Sequence, residues 1–122
     1  MWGSVLEEVR VEKRGSVYMI RFDDGSKAWL SFKEENGKLY LLETFTPEQH
    51  RGKGYGAKLV EAAIRDAEMR GLKIVPVCSY SIYYFLKNKD ARRILAEEYA
   101  RMSDSELEEY FKKRVDEERR KH

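Results

Sequence analysis

The sequence predicts a single α/β domain, with a mixed antiparallel and parallel sheet, flanking helices and an added C-terminal helical segment. Short runs with alternating apolar residues fill the first half of the chain, whereas the second half places apolar residues at helical spacing. The 122 residues, of which 42% are hydrophobic, suffice for one core but not for two. We therefore expect one domain over residues 1–122, with its core at about residues 5–88.

Turn signals divide the first half into extended segments. Residues 5–11 are compatible with a strand or a short helix, and a turn is predicted at Gly15. Residues 17–22 and 27–32 each place apolar side chains on one face, and the Asp-Asp-Gly sequence at residues 23–25 is a strong hairpin signal. These runs predict an antiparallel sheet, because their connections are too short for crossovers.

The third extended run, residues 38–46, is the richest in apolar residues and is predicted to be central in the sheet. A helix is predicted between this run and Gly71, which is its expected C-terminal cap. Residues 73–77 predict a short buried strand, parallel to the third run because a helix intervenes. The helix is predicted from apolar residues at helical spacing: Leu59, Val60, Ala63, Ile64 and Ala67.

The rest of the chain is predicted to be helical. Residues 79–86 form a short aromatic helix and residues 90–102 a charged one. Residues 103–106 (Ser-Asp-Ser-Glu) are typical of a capping box and open a final helix, whose last six residues are expected to fray. The C-terminal helices either cover the sheet or form a homodimer contact through Tyr99, Leu107, Tyr110 and Phe111.

Composition and charge argue against several classes of protein. The 24 basic and 22 acidic residues nearly balance, which argues against a dedicated nucleic-acid-binding protein. No apolar run is long enough to span a membrane, and residues 1–8 do not resemble a secretory signal. Because Cys78 is the only cysteine, no disulfide within the chain is possible, and a cytoplasmic protein is expected. Charged residues make up 38% of the chain, which fits a thermophile or a charged surface on a mesophilic protein.

A glycine-rich turn at residues 51–56 (Arg-Gly-Lys-Gly-Tyr-Gly) carries most of the functional information. It lies between an extended run and an amphipathic helix, where backbone N–H groups and a helix N-terminus converge on a volume that attracts phosphate. A Walker P-loop would require Lys-Ser or Lys-Thr in the loop, and a Rossmann site would require an acidic residue at the end of the next strand. The sequence has neither feature, so both kinds of phosphate site fit poorly. A tight turn without a ligand is the simpler alternative.

The spacing Arg51-x-x-Gly54-x-Gly56 resembles the acyl-CoA pyrophosphate loop of the GNAT acetyltransferase superfamily. The resemblance implies that the amides of about residues 52–57 bind the coenzyme diphosphate and that the preceding strand pairs with pantetheine. Two lysines of the loop would add positive charge near the phosphates. The implied cofactor-binding residues are Thr44, Phe45, Thr46, Arg51, Gly52, Lys53, Gly54, Tyr55, Gly56, Ala57 and Lys58.

Residues 71–80 (Gly-Leu-Lys-Ile-Val-Pro-Val-Cys-Ser-Tyr) narrow the resemblance to the short single-domain branch called YjdJ-like. The similarity covers residues 27–87, implies a GNAT-like fold without the usual N-terminal helices and leaves the C-terminal helices as an addition. That branch usually carries His-Thr-Glu-Val before the loop, where this chain has Glu-Thr-Phe-Thr at residues 43–46. Catalytic roles of the family His and Glu are therefore not carried over.

Three side chains are candidates for catalysis. Glu43 is a candidate general base, acting directly or through water, or else a solvated carboxylate at a strand end. Cys78 is a candidate acid, transient acyl acceptor or pocket wall, or else a buried apolar residue. Tyr84 falls on a tyrosine of the family pattern and is a candidate proton donor to the leaving sulfur, with packing as the alternative. His50 is expected to be structural or a weak phosphate contact, and with only the terminal His122 besides it, no metal site is expected.

The resemblance therefore implies an acetyl-CoA-dependent N-acetyltransferase that acts on an amine acceptor. Protein N-termini, lysines, polyamines and small amines all remain open as acceptors. Two alternatives are a non-catalytic acyl-CoA-binding or regulatory module and a protein-interaction domain that uses its helical extension. The first alternative shares coenzyme binding with the enzyme, whereas the second predicts none.

Overall fold

The computed structural model of the chain describes residues 9–121. Within these residues, five strands form one sheet in the order β1-β2-β3-β4-β5, and the mixed α/β class predicted from the sequence is confirmed. The strands are β1 (Glu12–Arg14), β2 (Val17–Arg21), β3 (Lys27–Glu35), β4 (Lys38–Phe45) and β5 (Lys73–Pro76). The helices are α1 (Tyr55–Arg70), α2 (Ser79–Lys87), α3 (Glu97–Ala100) and α4 (Asp104–Arg120), with 3₁₀ segments at Glu48–His50 and Lys89–Ile94. Within residues 9–121, no helix has the length and apolar character needed to cross a bilayer.

Strands β1 to β4 form the predicted antiparallel meander. The β3–β4 hairpin turns at Asn36 and Gly37, which both have positive φ (52° and 76°), as a two-residue hairpin turn requires. β5 pairs with β4 in parallel, as expected after a helical crossover. β4 therefore has a partner on each side, although the middle strand of the sheet is β3.

The core lies between one face of the sheet and the helices. Alternate residues of β2, β3 and β4 are buried because successive side chains of a strand point to opposite faces. Helix α1 contributes its apolar stripe and ends at Gly71, whose φ is 68° and whose neighbour Leu72 donates to the carbonyl of Ala67 at 2.8 Å. This geometry confirms the predicted cap. The fully buried side chains at this interface include Leu30, Leu39, Leu41, Leu59, Val60 and Ala63.

Asp66 ties α1 to the antiparallel strands. Its carboxylate accepts hydrogen bonds from Tyr18 Oη at 2.6 Å, Lys13 Nζ at 2.7 Å and Arg70 Nε at 3.1 Å. Burial opposes the charge of Asp66, but these donors outweigh it and lower the pKa of the carboxyl to about 2. The helix that follows the glycine loop is thus anchored by a charged contact as well as by apolar packing.

The first strand differs from its prediction. Residues 9–11 form no strand, and β1 comprises only Glu12–Arg14, which pairs with Val17–Met19 of β2. All three β1 residues are charged and the strand lies at the sheet edge, so no apolar alternation marks it. The remainder of the predicted segment, residues 5–8, lies outside the described residues.

The helix predicted over residues 90–102 is wrong. Leu95 is extended (φ −70°, ψ 147°) and separates the Lys89–Ile94 segment from the four-residue helix α3. Ile94, Leu95 and Ala96 are all buried, which one side of a regular helix does not achieve for three consecutive residues. The Ala96 N–H donates to the Ile74 carbonyl at 2.8 Å, so the segment bonds to the outer edge of β5 instead.

Helix α4 begins as predicted, and the expected fraying of the last six residues stays a prediction. Ser103 and Glu106 form both hydrogen bonds of the capping box, at 3.1 and 2.9 Å. The helix continues to Arg120, and Glu118 near its end bonds to Ser79 of α2. The extension therefore covers part of its own domain, while the homodimer contact stays a prediction.

Candidate functional site

A cleft opens where β4 and β5 separate. Their pairing ends at Leu41 and Pro76, and the Leu41 carbonyl accepts hydrogen bonds from both the Val77 and the Cys78 N–H at 3.0 Å. The β3–β4 register shifts next to this point, which leaves Leu42 as the extra residue of a β-bulge. Beyond the bulge, no described strand pairs with β4 on its β5 side, so the two strands form the walls of an open cleft.

A cavity of about 420 Å³ lies in this cleft beside the glycine loop. All of the predicted cofactor-binding residues line it except Lys53, Ala57 and Lys58. Ala57 lies in the first turn of α1, and the two lysines line a separate depression with Arg21 and Asp23. The lining residues are Thr44, Phe45, Thr46, His50, Arg51, Gly52, Gly54, Tyr55, Gly56 and Tyr80.

The backbone of the glycine loop presents hydrogen-bond donors without protein acceptors. Gly52 and Gly54 have φ of 80° and 85°, which glycine adopts without strain. Gly54 precedes α1 without a side-chain cap, and Lys58 is the first N–H of the helix to reach a carbonyl, at 3.1 Å. Among residues 9–121, the N–H groups of residues 52–57 donate to no other protein group. Such a run of free donors at a helix N-terminus suits an anion.

The loop is braced by contacts at its start. Arg51 Nε donates to the Thr46 carbonyl at 2.9 Å, which ties the loop to the end of β4. The His50 ring stacks on Phe22 with 3.7 Å between centroids, and its Nε2 lies 2.9 Å from Asp24 Oδ2. Hydrogen bonds from Ser26, and then the contact with His50, hold the pKa of the Asp24 carboxyl well below its usual range. His50 therefore has a structural contact with the β2–β3 turn, and it also lines the cavity.

Tyr80 lines the cavity, although the sequence indicated only that it belongs to the short aromatic helix. Its ring lies against Gly56 so closely that a Cβ on Gly56 would stand 2.8 Å from Tyr80 Cζ. Burial, and then neighbouring Tyr83, raise the pKa of the Tyr80 hydroxyl, which therefore keeps its proton at neutral pH. The only sequence signal for this role was its position in the first turn of the helix that follows β5.

Neither Cys78 nor Glu43 lines the cavity, and their side chains face different ways. The Cys78 side chain is buried, and its Sγ lies 3.2 Å from Thr44 Oγ1, so this contact joins the two walls. Glu43 is exposed. Because successive residues of a strand alternate, Glu43 and Phe45 share the face of β4 opposite Thr44. Glu43 and Cys78 therefore flank the separated strands from opposite sides of the sheet.

Tyr84 does not lie in the cavity. It is buried and lines a separate depression beside Glu61, Ile64 and Asn88. Burial, and then the charge of Glu61, raise the pKa of Tyr84. The proton-donor role expected of Tyr84 stays a prediction, whereas Tyr80, one helical turn earlier, stands in the cavity itself.

Comparisons with known proteins agree with this geometry. A model of the GCN5-related N-acetyl-transferase family matches residues 17–94, a segment that contains β2 to β5, the glycine loop and α2. Among solved structures, the chain is similar to a GCN5-like candidate N-acetyltransferase from Staphylococcus aureus, determined by NMR in solution. The TM-score is 0.61 at 18% identity over 74% of this chain and 90% of that chain, a likeness of fold. No curated protein matches the chain.

Proposed function

The chain belongs to the GCN5-related N-acetyltransferase family, and from this premise we propose that it is an acetyl-CoA-dependent N-acetyltransferase acting on an amine acceptor. One observation carries the proposal: the N–H groups of residues 52–57 have no acceptor among the described residues and lie beside the cavity between β4 and β5. These donors fit a diphosphate, which needs several hydrogen bonds and favourable charge at a helix N-terminus.

Two parts of the main chain hold acetyl-CoA in this proposal. The loop amides bind its diphosphate, and the β4 backbone at residues 43–46 binds the pantetheine arm like an added strand. Acetyl-CoA supplies the thioester whose acetyl group the amine receives. Arg51 shapes this site by tying the loop to Thr46, and His50 supports it through Asp24.

Proton transfer is assigned to side chains on the two faces of the cleft. Glu43, which is exposed, takes the proton of the acceptor ammonium directly or through water. Tyr80 holds a proton beside the cavity and donates it to the leaving sulfur, the role that the family resemblance implies for Tyr84. The second proton that the attacking nitrogen loses on forming the amide restores the Tyr80 hydroxyl through water. Cys78 does not line the cavity, and burial and its contact with Thr44 leave little access for an acyl group, so it serves to hold the β5 side against Thr44.

Calorimetric titration with CoA tests the binding half of the proposal. The wild-type protein is expected to bind, and Gly54→Glu to weaken binding by roughly a hundredfold or more, because it puts bulk and negative charge among the free amides. Gly37→Glu is the matched control, since Gly37 also has positive φ and open space around it but lies in the β3–β4 turn. Full affinity in Gly54→Glu would contradict the proposed site.

Mass-spectrometric screening of acceptors tests turnover. The panel contains peptide N-termini, lysine peptides, polyamines and small amines, each incubated with acetyl-CoA and the protein. Acetylation of at least one class is expected, with loss of rate in Glu43→Gln. Coenzyme binding without acetylation of any acceptor would instead favour a non-catalytic acyl-CoA-binding module, and absence of binding would favour an interaction domain.

A further inference from the structure

Helix α4 contacts the end of β5 through three polar side chains. Tyr110 Oη donates to the Pro76 carbonyl at 2.8 Å, and Arg114 Nε donates to the Val77 carbonyl at 2.7 Å. Glu118 accepts from the Ser79 N–H at 2.8 Å and from Ser79 Oγ at 2.6 Å. Tyr110, Arg114 and Glu118 are four residues apart, so they form one row on the helix surface and bond to consecutive parts of the chain.

These contacts complete the hydrogen bonding of the β5 side of the cleft. The Val77 and Cys78 N–H groups already donate to the Leu41 carbonyl. The Cys78 carbonyl accepts from Ser81 Oγ at 2.7 Å and from the Ile82 N–H at 3.2 Å. Together with the α4 contacts, every backbone polar group from the Pro76 carbonyl to the Ser79 N–H is bonded within the protein. This wall has no free main-chain group to offer a ligand, and it cannot shift without breaking bonds to α4.

The α4 side chains are themselves held in place. The Arg114 side chain is only 18% exposed and also forms an ion pair with Glu117 at 2.6 Å. Burial raises the pKa of Tyr110, so its hydroxyl stays protonated and keeps donating to Pro76 at neutral pH. Glu118 places a carboxylate at the N-terminus of α2, where negative charge is favourable. Tyr110, Arg114 and Glu118 are therefore held in place by their contacts and differ from the solvated charges elsewhere on the helix surface.

We infer that α4, which lies outside the segment matched by the family model, is a working part of this site. Tyr110, Arg114 and Glu118 are positioning residues that fix residues 76–79. They thereby keep Cys78 Sγ in contact with Thr44, and they keep Tyr80 beside the cavity. The consequence for catalysis rests on the proposed function. The consequence for the position of Cys78 does not, so the two can be tested separately.

Thiol labelling tests the position of Cys78, because Cys78 is the only cysteine of the chain. Arg114→Met is expected to raise the labelling rate of the folded protein by about tenfold, since the Val77 carbonyl loses its donor and the wall opens locally. The matched control is Lys113→Met, an exposed neighbour on α4, expected to stay within about twofold of wild type. Rates are compared at several low urea concentrations, because local opening depends little on urea whereas global unfolding depends strongly on it.

Two milder variants keep the test decisive if Arg114→Met does not fold. Tyr110→Phe removes one hydroxyl and preserves the ring, and Glu118→Gln removes the charge and one acceptor, with exposed Glu109→Gln as its control. Each is expected to raise labelling by about threefold. Labelling rates equal to those of the controls in all variants that fold would overturn the inference, whether or not the protein binds CoA.

Steady-state kinetics test the catalytic consequence. Arg114→Met is expected to lower kcat by about fivefold or more while the KM for acetyl-CoA changes by less than about twofold, because the glycine loop is untouched. Arg114→Lys keeps the charge and one donor, and should restore part of kcat. A loss of kcat without faster labelling, or an equal loss in Lys113→Met, would contradict a positioning role.

Discussion

The two sides of the cleft use their main chain in opposite ways. On the loop side, the N–H groups of residues 52–57 find no acceptor within residues 9–121. On the strand side, every main-chain polar group from the Pro76 carbonyl to the Ser79 N–H is bonded, three of them to side chains of α4. In the proposed function, the loop side therefore offers hydrogen-bond donors to the ligand, whereas the strand side keeps its position. A ligand on the loop side replaces only water, whereas one on the strand side would first have to break bonds within the protein.

The largest predicted effect concerns Leu41, where the pairing of β4 with β5 ends. Leu41 is fully buried, and its carbonyl accepts the N–H groups of both Val77 and Cys78. Leu41→Ala should lower the free energy of unfolding by about 3 kcal/mol, because it leaves a cavity under both walls. Chemical denaturation measures the change. The control is Phe45→Ala on the same strand, where the side chain is 41% exposed and the loss should stay below about 1 kcal/mol. Equal losses would mean that Leu41 has no special place in the cleft.

An effect of intermediate size concerns Asp66, which ties α1, the helix after the glycine loop, to the antiparallel strands. Hydrogen bonds lower the pKa of Asp66 to about 2, below its unfolded value, so its contribution to stability is present above about pH 4 and lost as the pH falls toward 2. Asp66→Asn should therefore be less stable than wild type at pH 6, and this difference should shrink on acidification. Denaturation curves between pH 2 and 6 measure it, with exposed Asp90→Asn as control. A difference that is independent of pH would refute the role of the charge.

The smallest predicted effect separates backbone binding from side-chain charge. Lys53 was expected to assist the phosphates, but it lines a different depression from the loop amides. Lys53→Ala should therefore change the Kd for CoA by less than about threefold, in contrast to Gly54→Glu. Calorimetry at low and moderate salt measures both variants. A tenfold weaker affinity of Lys53→Ala for CoA would instead show that the lysine side chain contributes to binding.

Apolar periodicity was sufficient to predict most of the fold. The alternation in β2 to β4, the buried run of β5 and the stripe of α1 each bury against the same core, so local pattern and tertiary packing agree. The failures occur where charged residues dominate. β1 has no apolar alternation. The apolar residues of the charged segment 90–102 favour a helix in sequence, but burial of Leu95 and its neighbours at the β5 edge overrides that pattern.

The candidate site was predicted only where conformation is local. Glycine at positions 52 and 54 reports positive φ directly, so the loop could be predicted. Tyr80 and His50 enter the cavity through contacts with Gly56 and Phe22, which sequence spacing does not reveal. Arg114 and Glu118 resemble an ordinary solvated helix face in sequence, and only the packing of α4 onto the end of β5 gives them partners.

The extended residues Leu95 and Ala96 also affect how copies of this chain meet. Their main-chain bond to Ile74 denies the outer edge of β5 to a strand from another molecule. At the opposite edge, β1 is three residues long and carries Lys13 and Arg14. Short, charged or covered edges are the means by which sheets avoid adding further strands in the manner of amyloid. Within residues 9–121, neither edge of the sheet therefore presents a long unpaired strand to another copy of the chain.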